Sequence, residues 1–542
     1  MKFVKIKSYA MLTLLIGVLG FITYTLYGIS IRSDYIQAAQ KQSTYKLNAA
    51  YARGTIYDCN MHPLVGKTEK RIAAVAPSIE VVAYLNAELS KGDYTTFSKE
   101  LENGKPFLLE TPETLNMEGI EQFEIPVRYG ENQLASHIIG YIDGEGNGVS
   151  GMEMAMDDIL KHNMGELSCY YQVDALGRVI AGEKPRIVNT IKEVKSGVVL
   201  TLDENIQRTA EEAAKKLGAG AVVITEIPSA EVRGIVSVPG YSPDKIGEAT
   251  QLPQSPLVNR AFSAYAPGSV FKLVSAAEQI EEEKDGYIYN CTGAINVDDM
   301  EFHCINNAAH GKVDLEKAIE KSCNCYFIDA VSKMGGQEVL KMAYNSGFGI
   351  STEYGNGLIT SSGNLPSAAE LLNRRALANF SFGQGELTVT PLQIAGLINA
   401  IASFGEYSEP KLIAGTANDE MELTPADTPE KMRVMKVLTA EKLQRYMETA
   451  VVSGTGKEGS SDLYTCGAKT GTAQTGVYSD GVELNHYWYA GYIKDGGSPR
   501  YSVVVFREST DKDNGLTGQV FKEISEYLAK DFSTVKNNAD PE

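Results

Sequence analysis

Ala266-Pro267-Gly268-Ser269-Val270-Phe271-Lys272-Leu273-Val274 is the stretch on which the reading of this chain turns. Pro267-Gly268 makes a turn, and Phe271, Leu273, Val274 and Ala277 continue as the apolar positions of a helix. Ser269 is therefore expected at a helix N-terminus, where free N–H groups and the positive dipole end favour a developing oxyanion. Positions i and i+3 share a helix face, so Lys272 projects over Ser269. A serine hydroxyl is a weak nucleophile until a base accepts its proton. A lysine can be that base only where desolvation or a neighbouring cation lowers its pKa. Taken by themselves, the same residues also fit an N-capping serine followed by a snorkelling lysine.

Two later stretches decide between these readings. Ser322-Cys323-Asn324 follows an amphipathic segment, Asp314 to Lys321, and precedes the apolar Tyr326-Phe327-Ile328. It offers a hydroxyl to relay a proton and an amide to bond a peptide, although an interhelical turn would look the same. Lys469-Thr470-Gly471-Thr472-Ala473 holds the only Lys-Thr-Gly of the sequence. Read as a strand, Lys469, Gly471 and Ala473 face one way and the two threonines the other. A lysine and two hydroxyls suit a carboxylate, and glycine admits a close backbone; a β-turn after Gly467 is the plainer alternative. Single matches mean little, since Ser43 to Lys46 and Ser533 to Lys536 repeat Ser-x-x-Lys and Ser362-Gly363-Asn364 repeats Ser-x-Asn. Order and local context separate the real elements, which lie about 53 and 147 residues apart.

The bulk composition frames this site. A chain of 542 residues with 43% apolar and 22% charged residues has the composition of two or three folded pieces. A net charge of −19 argues against a nucleic-acid partner, whose phosphates need clustered Lys and Arg. Tyr9 to Ile31 is an uncharged apolar run, long enough to cross a ~30 Å hydrocarbon core as a helix. It exceeds the apolar region of a cleaved signal peptide. Lys2, Lys5 and Lys7 precede it, so a short cytoplasmic tail and an extracytoplasmic remainder are expected. Of seven cysteines, Cys291 and Cys304 flank a short polar stretch that a disulfide could close. No His-Glu-x-x-His or Cys-x-x-Cys spacing occurs, and Cys323-Asn324-Cys325 is too tight for a structural zinc site, so neither metal nor cofactor is expected. Gly454-Thr455-Gly456-Lys457 lacks the Ser/Thr and the upstream Gly of a phosphate loop.

Patterning divides the rest. Ser33 to about Asn48 reads as a helical stalk or linker, and about 49 to 190 as an irregular module of short segments. Val198 to Leu202 reads as a strand, and Asp203 caps a helix from Glu204 to about Lys216. Gly220 to Ile227 and Glu231 to Val238 form a hairpin, the first strand buried on both faces. Helical patterns fill 255 to 450. Trp488 to Ile493 and Tyr501 to Phe506 are strands, and Gln519 to Phe532 is a closing amphipathic helix. Strands at both ends with helices between describe an α+β domain whose sheet is assembled from distant segments. The expected division is 1–8 cytoplasmic tail, 9–31 transmembrane anchor, 32–190 linker and pedestal, 197–532 catalytic domain and 533–542 disordered tail.

With these residues in place, the chain resembles the class B, monofunctional penicillin-binding proteins, the D,D-transpeptidases of bacterial peptidoglycan synthesis. The likeness covers nearly everything after residue 50. Arg53 to Asn60 resembles the first pedestal motif, with Cys59 where arginine is commoner, and His137 to Tyr141 with Gly148 to Glu153 resembles the next. Asp174 to Arg178, Leu200 to Gln207, Phe382 to Glu386, Thr390 to Gln393 and Gly454 to Gly456 are further family features.

The resemblance implies a penicillin-binding, serine β-lactamase-like fold with a central antiparallel sheet and a helical subdomain. It implies Ser269 as the acylated nucleophile, Lys272 as its general base and Ser322 as the proton relay toward the departing D-Ala. Asn324 would orient the stem peptide, and Lys469, Thr470, Gly471 and Thr472 would hold the terminal carboxylate. The N–H groups of Ser269 and Thr472 would form the oxyanion hole. β-Lactams are expected to acylate Ser269, and a polytopic glycosyltransferase of the shape and division machinery is the expected membrane partner. No glycosyltransferase module fits between the anchor and Arg53, nor the extra domain of resistance-type relatives, and appended β-lactam-sensing-like repeats are missing. The competing expectations are a β-lactam hydrolase or sensor on the same fold, and a catalytically silent scaffold of a cell-wall synthase.

Overall fold

Gly220–Glu226 reads Gly-Ala-Val-Val-Ile-Thr-Glu, and its alternate side chains enter two different cores. Val222 and Ile224 pack with Ile206, Val503, Val505 and Phe521 on one face, and Ala221 and Val223 with Ile394, Val504 and Phe506 on the other. A strand covered on both sides has no solvent face, which is why its polar alternation is lost.

The computed structural model describes residues 2–30, 43–89, 97, 99–162, 164–180 and 182–537. These fall into two units. Where the sequence reading draws one cut between 190 and 197, the second unit takes in Gly54–Lys67 and Arg128–His162 as well as Lys195–Glu542. Thr55–Tyr57 joins it by pairing in parallel with Gly197–Leu200.

The second unit is built on α1 (Glu204–Ala214), β1 (Gly220–Glu226), β2 (Val232–Val238), α2 (Lys272–Glu281), α3 (Leu315–Glu320), α4 (Asn324–Met334), α5 (Pro391–Ala402), α6 (Val437–Val452), β3 (Thr465–Ser479), β4 (Val482–Asp495), β5 (Ser498–Thr510) and α7 (Leu516–Asn537). The five strands form one antiparallel sheet in the order β2-β1-β5-β4-β3. This is the expected α+β sheet drawn from distant segments. It leaves β3, the strand of Lys469-Thr470-Gly471, at an edge.

Helix starts follow their signals. Asp203 accepts the N–H groups of Asn205 and Ile206 at the start of α1. Thr390 and Gln393 form a reciprocal capping box on α5, with Pro391 in its first turn. Every residue of α5 is buried, so it is an inner helix with no polar face. Its two amides are satisfied: Gln393 donates to the carbonyls of Ile350 and Ser362, and Asn399 donates to Thr225 and Glu226 of β1.

The first unit holds two three-stranded sheets, one of Thr44–Ala52, Gly165–Gln172 and Arg186–Asn189, the other of Phe107–Glu110, Thr68–Val75 and Ile120–Val127. Residues 33–42 of the expected helical stalk or linker lie outside the described residues. Thr44–Ala52 is a strand, paired antiparallel to Gly165–Gln172, so cross-strand pairing overrides the helical reading there. The N-terminal helix Lys2–Ser30 contains Ile6–Ser30, 25 residues with mean hydropathy 1.9 and no burial, long and apolar enough to span a membrane. At the other end α7 continues to Asn537, five residues past its expected end at Phe532. Residues 538–542 of the expected tail lie outside the described residues.

Candidate functional site

Ser269 is buried at the start of α2, but the local geometry is tighter than the sequence suggests. Gly268–Val270 is a 3₁₀ turn, and the α-helix begins only at Lys272. The i, i+3 relation survives this change, since a 3₁₀ turn also stacks those positions. The turn depends on Gly268, whose φ is +52°. A Cβ there would lie 2.4 Å from the Thr472 carbonyl oxygen. From the strand side, a Cβ on Gly471 would lie 2.8 Å from the Pro267 carbonyl oxygen. Two glycines thus let the edge strand β3 and the serine turn touch backbone to backbone. The Trp488 indole donates to the Ala266 carbonyl at 3.0 Å and holds the turn to β4.

Lys272 and Lys469 are both fully buried. Lys272 Nζ donates to the Ser322 carbonyl (2.8 Å), Ser322 Oγ (3.2 Å) and Asn324 Oδ1 (2.6 Å). Lys469 Nζ donates to the same Ser322 Oγ (3.0 Å) and to the Thr470 carbonyl (2.9 Å). Burial pushes Lys272 down from its ordinary 10.5 to about 8, against the pull of the thiols of Cys323, Cys304 and Cys325. Burial, then the neighbouring Lys272 charge, lowers Lys469 well below its ordinary value. Two ammonium groups on one hydroxyl, neither paired with a carboxylate among the described residues, favour loss of a proton from the pair. Once Lys272 is neutral, Ser322 Oγ–H can donate to its amine while still accepting from Lys469.

Ser322 holds its place through a left-handed backbone, φ +52°, in the turn between α3 and α4. Asn324 opens α4, and its amide donates to the His303 carbonyl at 2.8 Å. Thr470 and Thr472 are half-buried on the outward side of β3, as strand alternation requires. Thr470 Oγ1 bonds Thr455 Oγ1 at 2.9 Å. The Gly454-Thr455-Gly456 turn, declined as a phosphate loop, therefore buttresses the lysine strand. These contacts link the elements that carry all eight candidate residues. Ser269 Oγ makes no hydrogen bond among the described residues, so neither lysine engages its hydroxyl.

The Ser43–Lys46 and Ser362–Asn364 matches make contacts of other kinds, and the side chains of Ser533–Lys536 lie outside the described residues. Lys46 pairs with Glu166 at an exposed surface, and Ser362 gives its carbonyl to Gln393. The disulfide that Cys291 and Cys304 could close is not formed: both are free thiols, with sulfurs 3.7 Å apart. They gather instead with Cys323 and His310, which the linear sequence scatters. A cavity of about 520 Å³ lined by His137, Arg208, Glu211 and Tyr241 lies elsewhere in the same unit and includes none of the eight residues.

A family model for the penicillin binding protein transpeptidase domain matches residues 220–526, more than half of the chain. The chain belongs to the penicillin-binding protein transpeptidase family. Among its family relatives, it is 26% identical to Stage V sporulation protein D of Bacillus subtilis over 460 residues, which covers 81% of this chain and 68% of that protein. It is 26% identical to peptidoglycan D,D-transpeptidase FtsI of Escherichia coli over 442 residues, 79% of this chain and 70% of that one. In fold it is similar to penicillin binding protein 3 of Mycobacterium tuberculosis complexed with ampicillin, with a TM-score of 0.67 and 22% identity over 92% of this chain and 98% of that chain.

Proposed function

We propose that this chain is a class B peptidoglycan D,D-transpeptidase that forms a Ser269 acyl-enzyme and is acylated there by β-lactams. The observation that carries the reading is the buried Lys272–Ser322–Lys469 array beside the Ser269 turn. A base with a pKa near the working pH is what a serine nucleophile needs, and burial of Lys272 supplies one. Membership of the family and a relative named as a peptidoglycan D,D-transpeptidase support the substrate class.

The mechanism follows from these roles. Neutral Lys272 takes the Ser269 Oγ proton as Oγ attacks the carbonyl of the penultimate D-Ala of a stem peptide. The N–H groups of Ser269 and Thr472 receive the oxyanion. Ser322 passes a proton to the departing D-Ala nitrogen as the peptide bond breaks, leaving an ester on Oγ. An amine of a second stem peptide then attacks that ester, gives up its proton through the same array, and returns Ser269 to its hydroxyl form. Asn324 orients the peptide; Lys469, Thr470 and Thr472, across the Gly471 gap, hold the terminal carboxylate, which restores the Lys469 charge. With a β-lactam the ring amide is the bond broken, and the leaving nitrogen stays tethered.

The N-terminal helix serves as a single-pass anchor. Lys2, Lys5 and Lys7 support a cytoplasmic start and an extracytoplasmic catalytic unit. A polytopic glycosyltransferase is the partner proposed for the membrane.

The test is to trap labelled penicillin on the full-length chain, locate it by peptide mass spectrometry, and follow its release. A label on Ser269 that persists for hours supports the transpeptidase. Release within seconds would establish a β-lactam hydrolase instead. Ser269→Ala that still complements loss of the gene would establish a scaffold.

A further inference from the structure

Four side chains far apart in sequence converge beside Ser322. Cys291 ends the strand Tyr289–Cys291, which pairs antiparallel with Gly311–Val313 so that Cys291 faces Gly311. That register brings in His310, the residue before Gly311, and its Nδ1 lies 3.5 Å from Cys291 Sγ. Cys304 follows the strand Met300–His303, with its sulfur 3.7 Å from those of both Cys291 and Cys323. Cys323 caps α4, between Ser322 and Asn324. The four ligand atoms all lie within 4.8 Å of one another, and the three thiols are buried.

These spacings have a simple geometric meaning. A tetrahedron with metal–sulfur bonds of about 2.3 Å and a metal–nitrogen bond of about 2.0 Å has S···S edges of about 3.8 Å and S···N edges of about 3.5 Å. The three measured contacts, 3.7, 3.7 and 3.5 Å, match those edges. A disulfide accounts for the arrangement less well. Cys304 has the sulfurs of Cys291, Cys323 and Cys325 all at 3.5–3.7 Å, and it could bond only one of them.

Two backbone N–H groups also face the cluster. The N–H groups of Cys325 and Tyr326, in the first turn of α4, face the sulfurs of Cys304 and Cys323. Such N–H···S bonds are the usual second layer around a bound metal. The two small sheets that deliver the cysteines have only two strands each, three or four residues long. Ladders that short are marginal without a staple.

We infer that Cys291, Cys304, His310 and Cys323 form a structural zinc site that braces the Ser322-Cys323-Asn324 turn against the two small hairpins. Three thiolates and an imidazole in a closed tetrahedron are a borderline-soft donor set, which selects zinc over oxygen-seeking cations. No ligand position is left for water, so the ion positions residues and takes no part in the acyl transfer. It would fix Ser322 and Asn324, the two groups bonded by Lys272. Cys323 and Cys325 are too close in sequence to chelate zinc as a pair. The structure takes only Cys323 from that pair and draws the other ligands from three more points of the chain.

The test is the metal content of the full-length chain, purified in detergent without chelator, by plasma mass spectrometry. About one zinc per chain is expected, falling to less than a tenth in Cys291→Ser and in His310→Ala but not in Cys466→Ser. Exchange of the wild-type protein into cobalt should produce a thiolate-to-cobalt charge-transfer band, a readout that does not depend on whether a variant folds. Ser269→Ala should bind zinc as the wild type does, which separates this site from the acylation chemistry. A wild-type chain that holds less than a tenth of an equivalent after incubation with zinc, or a Cys291–Cys304 disulfide in the native protein, would overturn the inference.

Discussion

Lys272 and Lys469, both fully buried, donate to a single acceptor, the Ser322 hydroxyl, at 3.2 and 3.0 Å. Ser322 is therefore the hinge of the charge arrangement. Ser322→Ala should keep the turn, because the Lys272 bond to the residue 322 carbonyl remains. Removing the relay is expected to slow acylation by a reporter β-lactam about 10²–10⁴-fold. Stopped-flow acylation measures this; a change under threefold would remove Ser322 from the proton path.

Lys272→Arg retains a cation in the same cavity but cannot deprotonate. Acylation should fall at least as far as in Lys272→Ala, and raising the pH should not restore it. An arginine variant that acylates at near wild-type rate would assign the base elsewhere.

The pH profile follows from the Lys272 shift. With a pKa of about 8, roughly a tenth of Lys272 is neutral at pH 7. The acylation rate should climb with pH to about 8 and then level off. The sign for stability is also fixed. Between about 8 and the ordinary 10.5 the unfolded chain binds the extra proton, so this lysine's contribution to stability rises with pH across that window. A rate flat from pH 6 to 9 would contradict the lowered base.

Gly471→Ala inserts a methyl 2.8 Å from the Pro267 oxygen and 3.0 Å from Val270 Cγ2. The edge strand must move off the serine turn, at about 1–3 kcal/mol of stability. Acylation should drop alongside the melting temperature. A variant with both unchanged would show that the close approach is not required.

Thr390→Ala provides the contrasting case. It removes one half of the capping box on α5, far in sequence from the reacting groups, and should lower stability by about 1 kcal/mol. Denaturant unfolding reads the loss, and the acylation rate of the folded protein should stay within twofold.

Legibility differed from element to element for identifiable reasons. Asp203, Thr390 and the apolar run of β1 were readable because caps and strand burial leave local marks. Thr44 to about Asn48 reads as stalk or linker although it belongs to the strand Thr44–Ala52, because its partner, Gly165–Gln172, lies more than 100 residues away and pairing overrides weak propensity. The 3₁₀ form of the Ser269 turn was hidden, since the backbone contact with Thr472 comes from a strand about 200 residues later. Thr455 stood in a recognised pattern, but only folding reveals its bond to Thr470.

The chemical inventory is legible along the chain: one ordered set of serine, lysine, hydroxyl and amide residues, an apolar N-terminal run, and strands and helices in an α+β order. These are properties of residue type and local spacing, and local spacing survives folding. Which groups share a dielectric and a distance is set by packing. Lys272 becomes a usable base because packing buries it beside Lys469 and Ser322. Three cysteines and a histidine become a tetrahedron because a strand ladder, a loop and a helix start meet at one point. Burial and convergence are sums over distant contacts, and no local pattern encodes them.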